Sequence, residues 1–141
     1  MNQNLMRTVL LLFGLILLIT GCAKQAGEGG GAAIKGKVMT EVRVVLNNPS
    51  SVVATYPAAD EDVFIIYGDN ISPDDRVQTN YDGEFEIQYL RRGHYTVYIF
   101  SEDTLPEAGS DPNAMPIIHE IDINDRNETI DLGMIIRYEE N

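Results

Sequence analysis

The chain has 141 residues, with 22 acidic against 10 basic side chains, a net charge of −12, no tryptophan and one cysteine. That balance argues against a nucleic-acid face and against a polybasic membrane-binding face, since both need clustered cations to meet phosphates. A single cysteine excludes an intramolecular disulfide.

The N-terminal segment carries one charge, Arg7. An apolar run from Val9 to Ile19 follows, interrupted by Gly14, and Thr20 and Gly21 precede Cys22. A positive start, a short apolar centre and small residues at the end form a secretory signal. The run is shorter than the roughly 20 apolar residues of a membrane-spanning helix. Ile19-Thr20-Gly21-Cys22 resembles a bacterial lipobox. The resemblance implies cleavage before Cys22, a lipid on its sulfur and acylation, of the palmitate type, of the new amino end. More than one acyl chain anchors stably where a single chain is marginal. Removing the signal takes away Arg7, moves the net charge from −12 to about −13 and leaves 120 residues, enough for one domain. Ala23 is not the aspartate that resembles an inner-membrane retention signal. The expected location is therefore the cell envelope, at the outer membrane.

Residues 22–33 are small and rich in glycine, and are expected to form a flexible tether. The domain is expected over residues 34–141. Seven strands are predicted, at Ile34–Leu46, Asp62–Tyr67, Arg76–Thr79, Glu84–Leu90, His94–Ser101, Ile117–Ile123 and Thr129–Tyr138. They are rich in β-branched and aromatic residues and separated by Gly, Pro, Asn, Asp and Ser. With no amphipathic helix between them, they suggest an all-β, antiparallel sandwich.

Asp82-Gly83 is a strong turn pair, because glycine accepts positive φ cheaply. Phe85 and Ile87 alternate with Glu84, Glu86 and Gln88. Leu90 is out of phase and is expected to reach the core as the strand bends. Arg91-Arg92-Gly93 makes the next turn, after which Tyr95, Val97 and Ile99 face inward. Thr96 faces outward, with Tyr98 and Phe100 partly covered or exposed. Ile117, His119, Ile121 and Ile123 form one further period-two set, and Ile130, Leu132, Met134, Ile136 and Tyr138 another. Segments 47–61 and 102–116 read as loops. The second is proline-rich and long enough to suggest function or mobility.

The stretch Asn80-Tyr81-Asp82-Gly83-Glu84-Phe85-Glu86-Ile87, followed by Leu90-Arg91-Arg92-Gly93-His94-Tyr95-Thr96-Val97, resembles the carboxypeptidase regulatory-like and collagen-adhesin B-type domains. The shared features are the Asp-Gly turn, an aromatic two residues on, a leucine before a short turn ending in glycine, and Tyr-x-Val. The strand around Val63-Phe64-Ile65 and the terminal Ile130-Asp131-Leu132-Gly133 extend the likeness over most of residues 34–138. It implies a seven-stranded, transthyretin-like Greek-key sandwich of accessory, non-catalytic type. Arg91-Arg92 stands where the family carries a proline-rich turn, and the 102–116 insertion is longer than the usual connection.

The chemistry-bearing residues do not assemble into a recognised set. His94 and His119 lie on different strands without metal-ligand spacing. There is no Gly-x-Ser-x-Gly, and Ser101-Glu102-Asp103 near His94 reads as coincidence of composition. Asp122-Ile123-Asn124-Asp125 starts like a calcium loop, but Arg126 and Asn127 break the pattern. An irregular cation site from Asp69, Asp74, Asp75 and Asp82 is weighed against ordinary solvated turns. A crosslink between Lys35 or Lys37 and Asp131 is disfavoured because Asp131 alternates with the apolar face. Tyr98, Phe100, Arg91 and Arg92 are the candidates for touching a ligand or partner.

No catalytic residue, metal or cofactor is expected. The expected function is that of a non-catalytic, envelope-anchored lipoprotein whose sandwich binds or supports. Its expected partners are the membrane, through the lipid, and an envelope protein or glycan. The alternative is a carbohydrate-binding accessory lipoprotein of a glycan-uptake system.

Overall fold

In a computed structural model of the chain, residues 25–102 and 115–141 are described. The signal segment, Cys22 and the middle of the 102–116 segment lie outside the described residues. The strands in chain order are β1 (Glu28–Arg43), β2 (Val52–Pro57), β3 (Asp62–Tyr67), β4 (Asp75–Gln78), β5 (Glu84–Leu90), β6 (Gly93–Ser101), β7 (Met115–Ile123) and β8 (Thr129–Glu140). One turn of 3₁₀ helix, Pro49–Ser51, follows Asn48, whose side chain accepts a hydrogen bond from Ser50 N. The described residues contain no α-helix.

The strands form two four-stranded sheets. In the first, β1 is central. One edge pairs with β8, in parallel, from Ala33 to Arg43. The other edge pairs antiparallel with β5 along its first half and with β2 along its second. The second sheet is antiparallel throughout, in the order β4-β3-β6-β7. Between them lies one apolar core. Ile34, Val38, Phe85, Ile87, Leu90 and Ile135 enter it from the first sheet, and Val63, Ile65, Tyr95, Val97, Ile99, Ile121 and Ile123 from the second. Each large aliphatic side chain buried this way stabilises the fold by about 1.5–3 kcal/mol before entropy is counted.

The architecture departs from the sequence expectations in four ways. Among the described residues eight strands form rather than seven, because Val52–Pro57 pairs with β1 where a loop was expected. The sandwich is not wholly antiparallel, since β1 and β8 run side by side in the same direction. Strand β1 begins at Glu28, so the expected tether of residues 22–33 is part strand. Met115 and Pro116 belong to β7 rather than to the preceding loop.

The glycine tract is in the sheet for a steric reason. Gly30 lies against β5 so closely that a Cβ there would sit 1.8 Å from the Leu90 carbonyl oxygen. At Gly31 a Cβ would come within 2.5 Å of Asn127 Oδ1. Missing side chains, which read as flexibility, here permit backbone-on-backbone packing.

Two β-bulges account for the phase of the apolar residues. In β5, Leu90 pairs with Ala32 and Ile87 with Ile34, so β5 holds one extra residue, and Tyr89 takes φ +62°. The bulge turns Leu90 inward, as its spacing required, and leaves Tyr89 exposed. In β8, Lys35 pairs with Asp131 and Lys37 with Met134, again with one extra residue, at Gly133 with φ +69°. This second bulge reverses the expected set beyond Leu132. Ile135 is buried, whereas Met134 and Ile136 are exposed. Only Ile130 and Leu132 keep the phase read from the sequence and pack on the core.

Candidate functional site

The outer face of the second sheet carries a cluster of aromatic rings in contact with one another. Antiparallel register sets Phe64 beside Tyr98 and Tyr98 beside Ile118, with Phe100 beside Pro116 one row further on. The Phe64 and Tyr98 rings stack with centroids 5.1 Å apart. Phe100 meets both edge-on, at 5.7 and 5.5 Å. Tyr98 and Phe100 were singled out from the sequence, and the structure brings them together. Phe64 was missed. Its signal was available, since it alternates with the buried Val63 and Ile65 and must face away from them.

A polar row borders the rings toward the start of β6. His94 is hydrogen-bonded through Nδ1 to Asp122 Oδ1 and through Nε2 to Glu120 Oε2, both at 2.9 Å. Thr96 Oγ1 donates to the same Glu120 oxygen at 2.8 Å. The bond to Asp122 is the largest influence and raises the His94 pKa above its ordinary 6.5; desolvation opposes it, and the bond to Glu120 adds to the rise. A raised histidine pKa contributes stability that is fully present below the unfolded value, near 6.5, and lost as pH rises through the folded value. The thermal midpoint is therefore expected to fall between pH 6 and pH 8, and His94→Gln to flatten that slope. A proton-NMR titration placing His94 at or below 6.5 would contradict this.

His94 and Ser101 stand at opposite ends of β6. Ser101 is buried, and its Oγ accepts from Tyr138 N at 2.8 Å, so it serves the strand junction. His119 lies in the next strand, register partner of the core residue Val97. No group of three or more His, Cys, Asp or Glu side chains placed to hold a metal occurs among the described residues.

The acidic candidates are divided between turns. Asp74 accepts from Tyr67 N at 2.7 Å and from Asn70 Nδ2 at 2.8 Å, and Asp75 accepts from Arg76 N, all within the β3–β4 connection. Asp82 sits beyond the other end of β4, in the Asn80–Glu84 turn. Asn80 Oδ1 there accepts from the amides of Asp82 and Glu84 at 2.9 Å each. The Asp74 and Asp75 carboxylates thus serve their own connection, and the structure does not join Asp69, Asp74, Asp75 and Asp82 into one site. Lys35 Nζ lies 3.4 Å from Asp131 Oδ2 in an exposed ion pair. Gly133 N also donates to Asp131, and this bond, followed by Lys35, lowers the carboxyl pKa.

Arg91 and Arg92 have a different setting. With Arg126 and the Gly29–Gly31 backbone they line a cleft of about 400 Å³ at the end of the sandwich where β1 starts. A larger open depression, about 720 Å³, lies over the β8 bulge between Lys35, Lys37, Glu84, Glu86 and Asp131. Its cations and carboxylates are mixed, and it holds none of the singled-out aromatic or arginine side chains.

No family model matches the chain, and no curated protein matches it. Among solved structures, the crystal structure of (S)-allantoin synthase is similar to 79% of this chain and 43% of its own chain, at 14% identity and a TM-score of 0.36. The chain thus corresponds to less than half the length of that enzyme.

Proposed function

We propose that the chain is a non-catalytic, envelope-anchored lipoprotein, held by a lipid on Cys22, whose sandwich docks a protein partner on the outer face of the β4-β3-β6-β7 sheet. The observation that supports this is the Phe64–Tyr98–Phe100 cluster, continued by Ile118 and Pro116. An outward apolar patch with preset ring geometry suits a partner, because rigid aromatics lose little entropy on binding. The frame is of the carboxypeptidase regulatory-like, transthyretin-like kind, with β2 as an addition to its seven strands. That reading rests on the sequence likeness around the Asp-Gly turn, Phe85 and Tyr95-Thr96-Val97.

A second reading, glycan binding as part of an uptake system, is favoured by the polar row beside the rings. Rings stack on the apolar faces of sugars, and Thr96, Glu120 and Asp122 offer hydroxyl and carboxylate groups to sugar hydroxyls.

The test uses the full chain in its native envelope, with a photo-crosslinking residue at Ile118. One protein adduct that disappears in Phe64→Ala and Tyr98→Ala chains of unchanged thermal midpoint is the expected result. No adduct, together with a glycan-array signal abolished by Tyr98→Ala, would establish the second reading. Adducts indifferent to both substitutions would remove the face from consideration. Cys22→Ser is expected to abolish acyl labelling, and labelling that persisted would remove the anchor.

A further inference from the structure

We infer that the cleft between the glycine tract and the two arginine-bearing turns is a binding site for a phosphate group. The described residues contain eight lysines and arginines. Lys35, Arg43, Arg76 and Arg137 are in ion pairs. Of the four that remain, three line this one cleft: Arg91 and Arg92 from the β5–β6 turn and Arg126 from the β7–β8 turn. Among the described residues, none of the many acidic side chains forms an ion pair with Arg91, Arg92 or Arg126. Arginines that serve only packing would be expected to take some of them. Nearby Glu128 instead accepts from the backbone amides of Asn124 and Asp125, at 2.9 and 3.1 Å. Three converging like charges repel one another, and an anion between them removes that cost.

The walls fit the same ligand class. A guanidinium presents a planar fork that matches two oxygens of a tetrahedral oxyanion, and several forks can share the oxygens of one phosphate. The opposite wall is bare glycine backbone. A Cβ on Gly29 would lie 3.0 Å from an Arg91 guanidinium nitrogen, so the missing side chain is what lets that guanidinium lie across the strand. The turn bearing Arg91 is fixed by the hydrogen bond from Arg91 N to Gly27 O, at 2.9 Å, and by the buried Tyr95 hydroxyl, which donates to Arg91 O at 2.8 Å. The turn bearing Arg126 is fixed by Gly31 N donating to Arg126 O at 3.2 Å. Both cationic turns are thereby fastened to the start of the first strand or to the residue just before it. The cleft of about 400 Å³ holds a phosphate with part of the group it esterifies.

Two sources offer this chemistry, a free or small-molecule phosphate and a phospholipid headgroup. The headgroup source rests on the lipid-anchor reading. Five residues lie between Cys22 and Glu28, a reach of about 20 Å even when fully extended. A lipid on Cys22 would therefore hold this end of the sandwich close to the bilayer surface.

The test takes the full chain in maltoside micelles, which contain no phosphate, and follows the arginine Nε–H NMR signals while inorganic phosphate is added. Saturable shifts of Arg91, Arg92 and Arg126 are expected. Arg91→Gln/Arg126→Gln should weaken the affinity at least about tenfold, as loss of charge-assisted hydrogen bonds implies. These side chains are exposed, so the thermal midpoint should hold, and Arg92→Gln alone provides a milder variant. The titration is then repeated in phosphatidylglycerol nanodiscs. Signals already shifted and unmoved by added phosphate assign the site to the headgroup. The same titration as in micelles assigns it to a soluble phosphate. A chain that does not enter the discs defeats the anchor reading and leaves the micelle result standing. No saturable shift in micelles, or equal shifts in the substituted chains, overturns the site.

Discussion

Gly30→Ala is expected to destabilise the domain by more than about 3 kcal/mol, and to lower its thermal midpoint by at least about 10 °C. The added methyl would sit 1.8 Å from the Leu90 carbonyl oxygen and 2.4 Å from its carbon, both backbone atoms of a paired strand. They cannot rotate away as a side-chain tip would. Relief requires β1 and β5 to separate where Ala32, Ile34 and Leu90 are fully buried. Gly133→Ala is the comparison. Its φ of +69° is strained for alanine, but nothing lies within 4 Å of the new Cβ, so a cost of only about 1–2 kcal/mol is expected. Thermal or urea unfolding of the two variants separates close packing from backbone strain. A Gly30→Ala chain as stable as the original would return the glycine tract to the status of a linker.

Arg43→Met is expected to cost about 3 kcal/mol, read as a lowered urea midpoint at unchanged slope. Arg43 is an almost fully buried cation at the end of β1. Its Nε and one terminal nitrogen both lie 2.6 Å from Glu41 Oε1. The other terminal nitrogen donates to Leu46 O at 2.9 Å, and the guanidinium carbon sits 4.0 Å from the centroid of the Tyr138 ring. Methionine keeps much of the apolar stem but leaves a largely covered carboxylate and a carbonyl without their donor. The double change Arg43→Met/Glu41→Gln should recover part of the loss, because it removes the orphaned charge. A single variant with unchanged stability would show that this pair is far better solvated than its burial indicates.

Much of the second sheet was legible in the sequence. The strands around Val63, Val97 and Ile121 alternate cleanly, because one face is buried and the other wet, and their observed limits fall within a few residues of those expected. Leu90 was legible too, since its odd spacing from Ile87 called for a bend, which the structure makes with a bulge. The same device in β8 was hidden. Met134, Ile135 and Ile136 are all apolar, so the run fits either phase; the set through Met134 and Ile136 was expected, and the residue added at Gly133 selects the other. Strand β2 left no period because all but one of its residues are exposed; only the β-branched Val52, Val53 and Thr55 marked it.

The candidate surfaces were legible in proportion to how local they are. Tyr98 and Phe100 share one strand, so their common face followed from alternation, whereas adding Phe64 needed the pairing of β3 with β6. Arg91 and Arg92 stood out as a departure from a familiar turn. Arg126, 34 positions later in the sequence, joins them only because two turns and the first strand meet at one end of the sandwich. The glycines were misread because composition records that side chains are missing but not what occupies the space.

The parallel pairing of β1 with β8 gives the domain a mechanical direction. The two strands lie side by side from Ala33 to Arg43, so the chain enters at one end of the sandwich and Asn141 leaves at the other. A pull between a fixed N-terminus and a load on the last residues would run along both strands in opposite senses. The rungs of that ladder would then be strained together, in shear, instead of being peeled one at a time. Rupture would require many hydrogen bonds to fail at once, with the core-facing Val38 and Ile135 dragged past each other. A load applied between β6 and β7, by contrast, would act on an antiparallel pair open at one end and unzip it rung by rung.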